Sequence, residues 1–85
     1  MDPATLDEAL AIAGAAAGVR DAAAALRVRF GPLRVVVVDA FDMRAETPAA
    51  SSAAYLLYFA ANDGHCWHVT GDAAQAAGLY IAPRS

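Results

Sequence analysis

The sequence predicts an α+β fold, with two N-terminal helices packed on a small antiparallel sheet of three or four strands. Three observations carry this: helix-capping signals ahead of an apolar stripe at helical spacing, four consecutive valines between turn residues, and two apolar segments joined by Asn62-Asp63-Gly64. The chain of 85 residues reads as a single domain, 1–85, with a helical part at 2–30 and a sheet part at 33–82. A chain of this length buries only about 60–65% of the surface that its unfolded form exposes. Its core supplies only about 3–5 kcal/mol, so association into a homodimer is a natural source of further stability.

Asp2-Pro3 and Thr5-Leu6-Asp7-Glu8 both look like helix starts, the second with capping-box spacing. Leu6, Leu10, Ala13 and Ala17 then fall on one face. Gly14 and Gly18 flank three alanines, a small surface that lets another backbone come close. Gly18 is expected to end the first helix in a left-handed cap, and Asp21 to begin a second that runs to Phe30 and closes at Gly31-Pro32. Residues 26–30 also alternate as a strand would. The alanine run leading into them favours the helix.

Leu33 to Ala40 is the clearest strand, and its valine run predicts burial on both faces and a central position. Phe41 to Ala54 mixes charged, small and proline residues without a period, as expected of a mobile loop. Tyr55 to Ala61 and His65 to Thr70 form a hairpin about a three-residue loop. In that register Phe59 faces Trp67 and Leu57 faces Val69, with Tyr58 opposite His68 on the other side. Asp72 caps a short helical turn through Ala77, Gly78 ends it, and Leu79 to Ala82 forms a last strand.

Alanine fills 24 of the 85 positions, so bulky core material must come from the larger residues after Leu26. The net charge is −3, the opposite of the basic excess that phosphate neutralisation requires, and nucleic acid is not an expected partner. Five of the six arginines lie between Arg20 and Arg44. Arg27, Arg29 and Arg34 read as a solvated patch. Cys66 is the only cysteine, which fits a reducing, cytoplasmic setting. The apolar run from Ala9 to Val19 falls short of the ~20 residues that a bilayer requires, and Asp2, Asp7 and Glu8 precede it where a signal peptide carries positive charge. No membrane association is expected.

The densest chemistry lies in His65-Cys66-Trp67-His68. On a strand, Cys66 and His68 share a face and offer two metal ligands, which Asp39 or Asp42 from the loop after the valines would have to supplement. The same two residues also fit a strand with an ordinary thiol and a surface imidazole. As a nucleophile and base they are parallel neighbours about 7 Å apart at Cα, with no third group, so no catalytic residue is assigned. Phosphate-binding glycine motifs are missing, and no cofactor is expected. Tyr55, Tyr58 and Tyr80 are placed on the sheet face away from the helices, with Cys66 and His68, as the candidate binding surface.

The stretches Leu26 to Val35, Gly64-His65-Cys66 and Thr70 to Leu79 resemble small uncharacterised proteobacterial proteins, some associated with nitrogen-fixation gene neighbourhoods. The resemblance covers about half the chain and implies an accessory role, with no catalytic residue to carry over. The expected function is a non-enzymatic interaction or accessory module that binds a second copy of itself or another protein. The alternative is a metal or cofactor-handling protein using Cys66 and His68.

Overall fold

The computed structural model describes residues 1–84; Ser85, the last residue of the predicted domain, lies outside them. Two helices, α1 (Pro3–Gly14) and α2 (Val19–Phe30), precede five strands: β1 (Arg34–Val37), β2 (Ala50–Ser51), β3 (Tyr55–Asn62), β4 (Trp67–Thr70) and β5 (Gly78–Pro83). The α+β class and the helical N-terminal part are as the sequence predicts. The sheet differs from the expected antiparallel one: it has five strands and is mixed, because β1 runs parallel to β5.

Helix α1 starts at the first of its two candidate signals. The Asp2 carboxylate accepts from the Thr5 N–H at 2.8 Å, satisfying one of the helix's orphan donors, and Pro3 sits where its missing N–H costs nothing. Gly18 does not close α1, which ends at Gly14; extended at φ −163°, Gly18 is instead the N-cap of α2, and Asp21 falls in the first turn. Residues 26–30 are helical, and Gly31 at φ +61° turns the chain back into β1. The Arg29 guanidinium grips Glu8 through two bonds, Nε to Oε2 at 2.5 Å and Nη2 to Oε1 at 3.1 Å, tying α2 to α1. Both side chains are exposed, so this pair is worth only about 0.2–1 kcal/mol.

The helices present methyl groups to the sheet. Ala9, Ala13, Ala22 and Ala23 are fully buried, with Leu26 the one bulky helix residue among them. The sheet fills the volume from its side with Val35, Tyr55, Leu57, Phe59, Leu79 and Ile81. Burying each of Leu26, Leu57, Leu79 and Ile81 completely contributes about 1.5–3 kcal/mol.

The strand order is β1-β5-β3-β2, with β4 pairing β3 on the side that β2 also uses. The valine strand is therefore an edge, not the expected centre, and Val37 is 38% exposed. The central strands are β3 and β5, whose burial is nearly continuous. The 41–54 segment is not a free loop: it carries β2 and buries Met43. The Ser52 hydroxyl accepts from the Ala54 and Tyr55 N–H groups and tightens the turn from β2 into β3.

The β3–β4 hairpin departs from the expected register. Its loop is Asp63-Gly64-His65-Cys66, so Asn62 pairs with Trp67, Ala61 with His68 and Ala60 with Val69. Two consecutive side chains fold it. Asn62 Oδ1 accepts from the Gly64 N–H at 2.7 Å, and Asp63 Oδ1 accepts from the His65 and Cys66 N–H groups, each at 2.9 Å. Gly64 adopts φ +97°. The slip is an odd number of residues, so every β4 side chain changes face relative to the expectation.

Asp72 caps a 3₁₀ turn at Ala73–Gln75, but Gly78 does not end it; Gly78 is already in β5. A Cβ there would lie 2.6 Å from the Arg34 carbonyl oxygen, 3.2 Å from Arg34 Cβ and 3.3 Å from Trp67 Cζ3. Only glycine lets β1 and Trp67 close on β5 at this point. Replacing Gly78 by Ala should therefore destabilise the fold by about 1–3 kcal/mol. The expected signature is a lower urea midpoint with an unchanged slope.

Candidate functional site

Among the described residues, one face of the sheet carries no helix, since the buried residues of α1 and α2 cluster with the strand residues of the other. Alternation along the strands places Arg34, Val36 and Val38 on it from β1 and the residue beyond, Gly78, Tyr80 and Ala82 from β5, Leu56, Tyr58 and Ala60 from β3, and Trp67 and Val69 from β4. The chain between β1 and β2 crosses this face. Met43 is its anchor, packed in a cluster with Tyr58 and Ala82 and bordered by Val38, Leu56, Val69 and Tyr80. Beside that plug, Val36, Trp67, Val69 and Tyr80 remain half-buried.

The crossing turn is held by local bonds. Asp39 Oδ1 accepts from the Phe41 N–H at 2.7 Å, and Arg44 donates to the Phe41 carbonyl at 2.8 Å while its guanidinium lies 4.1 Å from the Phe41 ring centroid. Phe41 itself is 68% exposed. At the opposite end of the face the Arg34 guanidinium lies 5.2 Å from the Trp67 ring centroid, a cation–π contact worth about 0.5–1 kcal/mol at an exposed site.

The candidate binding residues do not gather as expected. Tyr55 is in the core beneath the helices, and Tyr58 is buried under Met43. Tyr80, paired with Tyr58, is the one of the three tyrosines that is half-exposed on the helix-free face. Cys66 is exposed in the hairpin loop, and His68, opposite Ala61, belongs to the helix-side parity. The residues that reading by composition passed over are Met43, Val36, Trp67 and Val69. The last two were displaced by the loop length, and Met43 had no periodic signal to mark it.

Cys66 and His68 are not joined by Asp39 and Asp42, which belong to the turn leaving β1, whereas β4 flanks β3 on the side away from β5 and β1. Among the described residues no three of His, Cys, Asp and Glu are grouped to hold a metal ion. The nearest acid to Cys66 is already committed: Asp63, whose Oδ2 lies 3.8 Å from the thiol sulfur, organises the loop. Hydrogen bonds from the Cys66 and His65 backbones hold its carboxyl below the usual 3.8. An apolar hollow of about 210 Å³ lies between the start of α1 and the sheet, lined by Met1, Asp2, Pro3, Leu6, Phe59 and Ala73. It is smaller than typical small-molecule pockets of about 300–1,000 Å³, and its single carboxylate caps α1.

Two helices laid by their alanines against one face of a five-stranded mixed sheet, with a crossing segment plugging the other face, define a small α+β domain. The profile of a family of unknown function, DUF6129, matches residues 8–84, and the chain belongs to that family. No curated protein and no solved structure matches it. Among the described residues no helix is long and apolar enough to cross a membrane.

Burial of the Tyr58 ring, and then the Glu46 charge, push its phenol above the usual 10.0. The neutral phenol is thus favoured in the folded state. Its contribution to stability is intact below about pH 10 and is lost as pH rises through the raised folded value. Met43→Ala should cost about 2–3 kcal/mol and bring the Tyr58 titration, followed by NMR of the ring, back toward 10.0. At the hairpin, Asp63→Ala should accelerate amide exchange at His65 and Cys66. In the parent the same loosening sets in only as the pH falls through the lowered Asp63 value.

Proposed function

We propose that this chain is a non-enzymatic interaction module that docks a protein partner, a second copy of itself or another chain, on the helix-free face of its sheet. The observation that carries this is the half-buried strip of Val36, Trp67, Val69 and Tyr80 beside the Met43 plug. Aromatic residues with a polar tip, bordered by an arginine, have the composition of interface centres. A single exposed thiol fits the reducing cytoplasm.

Sedimentation of the purified chain, followed by co-sedimentation with candidate partners, tests this face. Tyr80→Ser should weaken association at least about tenfold, the effect of losing roughly 1.4 kcal/mol, while leaving the circular dichroism spectrum unchanged. Tyr58→Ser is the wrong probe, because Tyr58 is only 2% exposed and its loss would empty the core. Association that survives Tyr80→Ser and Trp67→Ala intact would remove the helix-free face from consideration.

A further inference from the structure

The open edge of β1 is a second surface, distinct from the helix-free face. Val38 donates its N–H to the Ile81 carbonyl at 2.9 Å, and the parallel register turns Arg34, Val36 and Val38 toward β5. The backbone groups of Val35 and Val37 therefore point outward, where no strand lies. Among the described residues no strand pairs with the outward Val35 N–H or with either polar group of Val37. The Val35 carbonyl has a partner: Arg27 reaches from α2 and holds it through Nε at 3.1 Å and Nη2 at 2.7 Å.

The arginines of α2 that flank this edge have no ion-pair partner among the described residues. Among the described residues Arg29 alone of the arginines has a carboxylate within ion-pair distance, so Arg20 and Arg27 have none; Arg34 is turned the other way, over Gly78 to the Trp67 ring. Arg20 precedes Arg27 by seven residues and lies on the same stripe of α2, about 10.5 Å away along the axis. In a chain of net charge −3, Arg27 and Arg20 make the α2 side of this edge locally positive, while Asp39 beyond Val37 turns its carboxylate to the Phe41 N–H. Two copies meeting edge to edge would bring their Arg27 side chains together, which disfavours self-pairing. Charge complementarity selects an acidic partner.

We propose that the β1 edge docks an extended, acidic segment of another protein as an added strand. The backbone of the segment pairs with Val35 and Val37, and one of its carboxylates draws the Arg27 guanidinium off the Val35 carbonyl. That carbonyl then accepts an N–H from the incoming strand. Arg27 exchanges a neutral acceptor for a charge-assisted, two-pronged bond, and no polar group is left unpaired.

The test is an NMR titration of the ¹⁵N-labelled chain with a capped six-residue peptide that alternates valine and glutamate, beside the same peptide with lysine for glutamate. The acidic peptide should shift the Val35 and Val37 amides and slow their exchange. Its affinity should fall about tenfold in Arg27→Ala and decline with added salt. Arg27→Lys, which keeps the charge without the fork, should lie between the two. Tyr80→Ser should leave this binding unchanged, which separates it from the helix-free face. Equal binding of the lysine peptide, no response at Val35 and Val37, or full affinity in Arg27→Ala would each overturn the proposal. So would protection of those two amides that grows with the concentration of the chain alone.

Discussion

The close approach of two alanine faces to one side of the sheet is the constraint on which the rest of the structure depends. Ala9, Ala13, Ala22 and Ala23 are fully buried and bring only a methyl group each to the core. Beside Leu26 of α2, the fully or nearly buried bulky residues on that side come from the strands, with Tyr55, Leu57 and Phe59 from β3 and Leu79 and Ile81 from β5. This is how a chain so rich in alanine still builds a core. Dispersion among close-packed atoms, rather than the transfer of large side chains from helices, does much of the holding.

With both helices committed to one side, no regular element among the described residues covers the other side of the sheet. The chain solves part of that problem with the crossing from β1 to β2, which costs no extra element because the connection has to pass over the sheet to reach the far side of β3. Met43 makes the crossing a lid over Tyr58 and Ala82. The lid is narrower than the face. What it leaves is a half-buried strip that runs from Val36 across Tyr80 to Val69 and Trp67.

The helices were legible because capping is local chemistry: Asp2-Pro3 and Gly31-Pro32 mark their ends with residues whose backbone preferences are strong. Pairing between β1 and β5 was not legible, since the two segments lie far apart in the chain and four valines report burial tendency without naming a neighbour. The hairpin register was misread because Asn62 and Asp63 each bind the backbone ahead of them, lengthening the loop by one residue beyond what the glycine alone suggests. The division of the tyrosines was available in the numbering. Tyr55 and Tyr58 are three apart on one strand, an odd spacing that sends them to opposite faces. The site depends on tertiary facts, the Met43 lid and the Arg27 bond to Val35, for which neighbouring residues give no warning.

The place of β5 in the sheet bears on how the protein is made. It lies between β1 and β3, yet it is the last of the strands to leave the ribosome. Until it arrives, β1 has no neighbour on either side, and the helices lack Leu79 and Ile81 to rest on. The nascent chain can form its helices and the β3–β4 hairpin, but not a sheet that includes the valines. Closure waits for a contact between distant parts of the chain, which slows folding and leaves an apolar strand uncovered during synthesis.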